Sequence, residues 1–240
     1  MASSHETKRW APLPPRTGSD LLAPAYFAAY LGWLFLHPES ELLHWLTLVL
    51  LPILLVRWAH RSPGGRLGTA LASLGLRRGA WARGLPVAVV LGALIGVYQA
   101  LGSRSSDVAL EAFRTGRVVW LLPLGFVLML LLAGFTEELF FRGFLQTRLE
   151  ALLRSRIAGL LAASLCFGVY HLPYAYFNPM WPSAGDWGAA WAAALGQGIP
   201  GGLLLGGLYL YSGRNLLAPV VLHSLIGAFP AMGVLRFGGG

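Results

Sequence analysis

Long apolar stretches separated by short polar segments run through almost the whole chain. A membrane-spanning helix needs about 20 mostly apolar residues. Seven stretches approach that length, and sequence alone sets their boundaries to within several residues. They predict an all-α fold, a polytopic bundle of about seven transmembrane helices, with six to eight as the range. The stretches cover residues 21–36, 42–57, 85–102, 118–147, 157–172, 187–211 and 215–235.

Basic residues between the stretches predict the orientation of the bundle. Connections 57–84 and 148–156 are rich in Arg, whereas 37–41 and 173–186 contain neither Lys nor Arg. Cytoplasmic loops of membrane proteins carry an excess of these two residues. We therefore expect the N-terminus in the cytoplasm and the C-terminus outside.

Two regions of different composition predict the domain organisation. Residues 1–19 are polar and Pro-rich, and they lack the apolar core of a signal peptide. We expect them to form a disordered cytoplasmic tail. The rest, residues 20–240, shows no internal repeat or linker and is predicted to be one integral-membrane domain.

The composition supports a membrane class and argues against nucleic-acid binding. Of the 240 residues, 56% are hydrophobic and only 12% are charged, and the mean hydropathy is +0.62. A net charge of +8 would suggest nucleic acid in a soluble chain, but here the Arg residues cluster between apolar stretches. The partner predicted by this pattern is the lipid bilayer. The abundance of Arg, Ala, Gly and Leu favours a prokaryotic cytoplasmic membrane.

Small and aromatic residues predict how some helices pack. Gly198, Gly202 and Gly206 form two overlapping small-xxx-small steps, which permit close helix approach. Pro200 among them predicts a kink or a break. The aromatic-rich loop 173–186 is typical of an interfacial belt; a loop that guards a site is the alternative.

The run T-E-E-L-F-F-R-G-F, residues 136–144, follows 18 residues without a charge. It marks either a helix that leaves the membrane or carboxylates kept at membrane depth. At 1.5 Å per residue from the predicted helix ends, Glu137 lies about 16 Å deep, His171 about 22 Å and His223 about 12 Å. Ionisable residues at such depth are rare and usually face a partner or a water-filled cavity. The similar depths of these three residues favour a shared polar site.

Spacing within the run distinguishes the two carboxylates. Glu138 and Arg142 are four residues apart and can pair on one helix face. Glu137 points about 100° away and has no cation nearby in sequence. An unpaired carboxylate in an apolar setting is suited to exchange protons near neutral pH. We therefore expect Glu137, and not Glu138, to be the general base.

All six histidines also have a purely structural interpretation. His171 and His223 could each serve only as a hydrogen-bonding residue between helices, but their shared depth with a Glu pair favours chemistry. The remaining four lie at a terminus or at predicted interface positions, where we expect no catalytic role. They are His5, His37, His44 and His60.

Three short motifs between residues 118 and 230 resemble those of the CPBP family, the CAAX-processing and bacteriocin-processing (Abi-like) intramembrane proteases. E-E-x-x-x-R is matched by Glu137, Glu138 and Arg142, F-x-x-x-H by Phe167 and His171, and the third motif by His223. The resemblance implies hydrolysis of a peptide bond in a membrane-associated protein or peptide. It also implies roles: Glu137 activates water, which His171 holds, and His171 and His223 stabilise the oxyanion. Supporting roles fall to Glu138, Arg142 and Phe167.

One position departs from the family pattern. Gly227 stands four residues after His223, where the family often has Asn or Asp. The second oxyanion donor is therefore unassigned. Ser224, Asn215 and Gln197 are the candidate replacements, and a site that tolerates the loss is the alternative.

Metal dependence is left open by the residues themselves. A zinc site could use Glu138, His171 and His223 with water as fourth ligand. The H-E-x-x-H helix of zincins is absent, and the resemblance also admits a glutamate-dependent, metal-free site. We expect no metal cofactor. A non-catalytic immunity-like membrane protein and a proton-coupled transporter are the alternative functions.

Overall fold

A computed structural model describes residues 12–17, 20–38, 43–59, 67–77, 81–102 and 106–235. All regular secondary structure in these ranges is helical, which confirms the all-α prediction. Residues 1–11, 18 and 19 lie outside the described residues, so the predicted disordered tail is described only at 12–17, which form no regular structure. His5 and His60 also lie outside them.

Ten helices are present in the described ranges. They are α1 (Leu22–Leu36), α2 (Trp45–Ala59), α3 (Leu67–Ser73), α4 (Trp81–Gly102), α5 (Ser106–Arg114), α6 (Val118–Leu153), α7 (Arg156–Tyr170), α8 (Leu172–Phe177), α9 (Trp187–Tyr211) and α10 (Leu217–Leu235). The seven predicted stretches correspond to α1, α2, α4, α6, α7, α9 and α10. The short helices α3 and α5 lie in predicted connections.

Three helical segments of the described chain are long and apolar enough to cross a membrane: α6, α7 with α8, and α9. Four shorter apolar helices coincide with the remaining predicted stretches: Leu22–Leu36, Trp45–Ala59, Arg83–Gln99 and Leu217–Met232. Many of their large apolar side chains are exposed, as expected of surfaces that face lipid. The total of seven spans and the cytoplasmic N-terminus stay predictions.

Helix α6 is not a uniform α-helix. Segments Leu130–Gly134 and Leu139–Gln146 are π-helical, and the α-helical turn Phe135–Glu138 lies between them. In a π-helix the carbonyl bonds the amide five residues on, so side chains rotate relative to an α-helix. Such segments are frequent at functional sites. The two glutamates thus lie between two irregular turns.

Helices α7 and α9 pack through glycine. A Cβ atom added to Gly198 would lie 2.5 Å from the Cα of Gly168, and one added to Gly202 would lie 2.8 Å from the Cα of Ser164. A Cβ on Gly206 would lie 2.5 Å from Cδ1 of Leu160. The close approach predicted from the small-xxx-small steps is confirmed. Of the kink or break predicted at Pro200, the break is wrong, because α9 continues through this residue from Trp187 to Tyr211. The kink stays a prediction.

Helix α10 packs just as closely against α6. A Cβ on Gly125 would lie 2.7 Å from the carbonyl oxygen of Ala228. A Cβ on Gly134 would overlap the hydroxyl of Ser224, which is one residue after His223. The absence of side chains at these two glycines lets α10 approach α6, and the contact at Gly134 lies within one turn of the glutamates.

Candidate active site

Helix α6 contributes the acidic motif to the site. The Nη1 atom of Arg142 lies 2.9 Å from Oε1 of Glu138, an ion pair between residues four apart. The contact that the spacing predicts is therefore present. Both side chains are buried, Glu138 completely and Arg142 to all but 2%. The pair lies inside the bundle, so the run does not mark a helix end exposed to water.

Helix α10 brings His223 to both carboxylates. Its Nδ1 atom lies 2.8 Å from Oε1 of Glu138, and since a carboxylate can only accept, the imidazole N–H donates. Its Nε2 atom lies 3.9 Å from Oε2 of Glu137. His223 thus hydrogen-bonds to Glu138 through one ring nitrogen and faces Glu137 with the other.

The surroundings of the two glutamates differ. Oε1 of Glu138 accepts a hydrogen bond from His223 and lies in an ion pair with Arg142, whereas for Glu137 the described contact is His223 Nε2, 3.9 Å from Oε2. The buried Oε2 atom of each glutamate has no hydrogen-bond partner among the described residues. The side chains of Glu137 and His223 are 10% and 15% exposed, whereas that of Glu138 is fully buried. Glu137 and His223 are therefore the members of this group that reach the surface of the site.

Helix α7 supplies Phe167 and His171. The Nδ1–H of His171 donates to the carbonyl oxygen of Phe167, 2.7 Å away, which leaves Nε2 as the acceptor of a neutral ring. The Phe167 ring centroid lies 4.6 Å from that of His171 and 6.1 Å from that of His223. The Arg142 guanidinium carbon lies 4.3 Å from the same centroid, within cation–π range.

Phe167 is therefore the common neighbour of the site. Its ring contacts residues of all three motifs, on α6, α7 and α10. The structure brings together the six residues singled out by sequence: Glu137, Glu138, Arg142, Phe167, His171 and His223.

Residues 119–229 match the family model described as type II CAAX prenyl endopeptidase Rce1-like. The chain carries an Rce1-like domain. The CPBP resemblance inferred from the three motifs is thereby confirmed, and the enzyme class is that of a membrane-embedded protease. The comparison with curated proteins gives no match. Neither does the comparison with solved structures.

The alternative zinc set does not fit the candidate site as it is arranged. Glu138 and His223 bond directly to each other, and Arg142 lies on the same carboxylate oxygen. Within the described ranges, no three or more His, Cys, Asp or Glu side chains are placed to share a metal ion. The three residues of this set therefore do not converge as ligands of one metal ion.

Gly227 in the Rce1-like domain lies against Met129. A Cβ at position 227 would lie 2.8 Å from Cε and 3.0 Å from Cγ of Met129. An Asn at this position would therefore displace the Met129 side chain. Close packing of α10 on α6 gives a physical reason for glycine here.

The candidate replacements for the missing donor have other roles. The Ser224 hydroxyl donates to the carbonyl oxygen of Val220, 2.7 Å away in its own helix. The Asn215 amide donates to the carbonyl oxygen of Arg77, 3.0 Å away. Gln197 is exposed on α9. None of the three has a described contact with the glutamates or with His223, so the second donor stays unassigned.

His44, for which the sequence predicted no catalytic role, is a neighbour of the site. Its Nε2 atom lies 2.9 Å from the Tyr170 hydroxyl and 3.1 Å from that of Tyr174. Tyr170 precedes His171, and their ring centroids are 5.1 Å apart. The sequence offers no periodic signal that links positions 44 and 170, which are 126 residues apart.

A cavity of ≈ 610 Å³ lies at the turn between α6 and α7. Its lining includes Arg154, Ser155, Arg156, Leu160 and Gly207. None of the six motif residues lines it, so it is separate from the candidate active site.

Proposed function

We propose that the protein is a glutamic-type intramembrane endopeptidase that hydrolyses a peptide bond of a membrane-associated protein or peptide. The Rce1-like domain supports a CAAX-type intramembrane endopeptidase in general. The residues and their roles are our proposal. We also propose that the enzyme lies in a prokaryotic cytoplasmic membrane, with its N-terminus in the cytoplasm.

The observation that carries the proposal is the unequal placement of two adjacent glutamates. Glu138 is fully buried, accepts a hydrogen bond from His223 and forms an ion pair with Arg142. The Glu137 side chain is 10% exposed, and its buried Oε2 atom, which has no hydrogen-bond partner among the described residues, lies 3.9 Å from Nε2 of His223. A general base must reach the proton that it removes. Glu137 meets that requirement, whereas Glu138 is committed to its two partners.

Hydrolysis then follows in two proton transfers. Glu137 takes a proton from water as the water oxygen attacks the carbonyl carbon, and the same proton passes to the amine nitrogen as the C–N bond breaks. His171 accepts a hydrogen bond from the water at Nε2, because its Nδ1–H is held by the Phe167 carbonyl.

His223 stabilises the oxyanion in this scheme. When protonated it carries a hydrogen on each nitrogen, and Nδ1 is held by Glu138. Nε2 then donates to the oxygen of the tetrahedral intermediate. With Arg142 charged, two carboxylates would be balanced by two cations, so a buried net charge is avoided. Arg142 and Glu138 thus support His223 without touching substrate.

The proposed mechanism uses no metal. The contact between Glu138 and His223 supports this view, as does the metal-independent glutamic chemistry of the family. We expect purified protein to keep its activity in chelator and to contain metal below one equivalent. Stoichiometric zinc together with loss of activity in chelator would refute this part of the proposal.

Two catalytic variants test the function in cells. Membrane peptide fragments from cells that express the wild type are compared with those from cells that express Glu137→Gln or His171→Ala. We expect fragments present in the wild type to disappear in both variants, with equal protein levels in the membrane. Identical fragment patterns in all three strains would favour a non-catalytic protein.

A further inference from the structure

A cluster of polar aromatic residues lies directly behind the candidate active site. His44, at the start of α2, contacts the hydroxyls of Tyr170 and Tyr174 through one nitrogen, Nε2. The Tyr30 ring of α1 stacks on that of Tyr170, with centroids 6.3 Å apart. The cluster joins the N-terminal helices, which lie outside the family match, to the end of α7.

Tyr170 is packed on all sides by rings of this region. It is 1% exposed, and its centroid lies 5.0 Å from that of Phe141 and 5.1 Å from that of His171. A buried hydroxyl requires a hydrogen-bond partner, because its transfer from water is otherwise unfavourable. His44 provides that partner at 2.9 Å. The bond therefore ties the hydroxyl end of the Tyr170 ring to the start of α2, while packing holds the ring itself against His171.

We propose that His44 is a positioning residue for the reaction, acting through Tyr170 on the orientation of His171. The inference rests on the proposed peptidase function. His171 is held on one side by the Phe167 carbonyl through Nδ1. The Tyr170 ring meets the imidazole nearly perpendicularly, at 83°, and limits its tilt. Loss of the His44 contact loosens the hydroxyl end of the Tyr170 ring and, with it, the fit of that ring against the imidazole that holds water.

The arrangement assigns a function to α2, which carries none of the three motifs. The N-terminal helices would then contribute to catalysis by completing the wall of the site and not only by anchoring the domain. His44 does not touch the reacting atoms, so its effect should fall on turnover and not on substrate affinity.

Kinetics of purified protein on a membrane-anchored peptide test this assignment. Tyr170→Phe and His44→Phe should each lower kcat about 2- to 10-fold, the usual effect of one neutral hydrogen bond, with little change in KM. The double variant should be no slower than either single one. His44→Gln, which can still bond a hydroxyl, should recover part of the loss.

Tyr26→Phe is the matched control. Its hydroxyl donates to the carbonyl oxygen of Thr47, 2.7 Å away, and its ring contacts Phe140 and Phe144. Tyr26→Phe removes the same hydroxyl oxygen as Tyr170→Phe, from a nearby tyrosine, and should leave kcat unchanged. Unchanged kcat in both Tyr170→Phe and His44→Phe would overturn the proposal. So would a loss of kcat in the control Tyr26→Phe as large as the losses in these two variants.

A second measurement does not depend on activity. In protein labelled with ¹⁵N at its six histidines, the His171 ring signals are identified by their loss in His171→Gln. They should shift in Tyr170→Phe and in His44→Phe but not in Tyr26→Phe. Unshifted signals would refute the coupling. Activity that is equal in wild type and Glu137→Gln would instead refute the peptidase function, whatever the spectra show.

Discussion

Glu137 and Glu138 are neighbours in sequence, yet the helix gives them different surroundings. One carboxylate is fully buried between Arg142 and His223, and the other belongs to a side chain that is 10% exposed, with His223 Nε2 3.9 Å from its Oε2 atom. Helical spacing predicted the first contact, since residues four apart share a face. It could not predict His223, which comes from a helix 85 residues later.

Substitution of the two glutamates should separate stability from activity. Glu138→Gln leaves Arg142 buried without its counter-ion, so the free energy of unfolding should fall by about 3 kcal/mol. Glu137→Gln breaks no hydrogen bond of the buried pair and should change the free energy of unfolding little. Unfolding in mixed micelles with rising dodecyl sulfate measures both. Equal stability of the two variants would contradict the assignment of Glu138 as a buried structural carboxylate.

Gly227 offers a test of why the family's usual residue is missing. Gly227→Asn would place its Cβ 2.8 Å from Cε of Met129, and overpacking of this kind lowers the free energy of unfolding by about 1–3 kcal/mol. Met129→Ala removes the overlapping atoms and should restore part of the loss in the double variant. The same unfolding assay applies. A Gly227→Asn variant as stable as the wild type would show that packing does not explain the glycine.

At the scale of elements, periodic features were predictable and local irregularities were not. The glycine stripe of α9 recurs every four residues, so its contact with α7 could be read from sequence. The π-helical turns of α6 have no such period, because they depend on how the helix meets its neighbours. The continuation of α9 through Pro200 likewise depends on packing that propensity does not include.

Two glycines of α9 give a matched pair for that contact. Gly198→Ala would place a Cβ 2.5 Å from the Cα of Gly168, so α7 and α9 would have to separate. Gly207→Ala would place one where nothing lies within 4 Å. We expect the first variant to unfold at a clearly lower temperature and to lose activity, since α7 carries His171. The second should match the wild type. A Gly198→Ala variant indistinguishable from Gly207→Ala would contradict the packing account.

At the scale of the whole molecule, composition predicted the membrane class and the motif order predicted the family. The order of residues along the chain places the three motifs on separate helices. It does not determine how far apart those helices lie. The contact of α2 with the site through His44 was also beyond sequence reasoning, because no motif or period marks it.

The predicted orientation can be measured with single cysteines in a Cys166→Ala background. Met180→Cys lies in the connection predicted to be outside, at a residue that is 80% exposed. Thr17→Cys lies in the predicted cytoplasmic tail. A membrane-impermeant maleimide applied to intact cells should label the first and not the second. The reverse pattern would invert the topology, and labelling of both would show an even number of spans between the two positions.

Glu137 is proposed to be the base that activates water for peptide hydrolysis at this site. The most direct measurement is mass spectrometry of a membrane-anchored peptide incubated in liposomes with purified wild type, Glu137→Gln or Gly207→Ala. We predict cleavage products with the wild type and with Gly207→Ala, and none with Glu137→Gln, although that variant stays folded. Equal product formation by Glu137→Gln and the wild type would contradict the account.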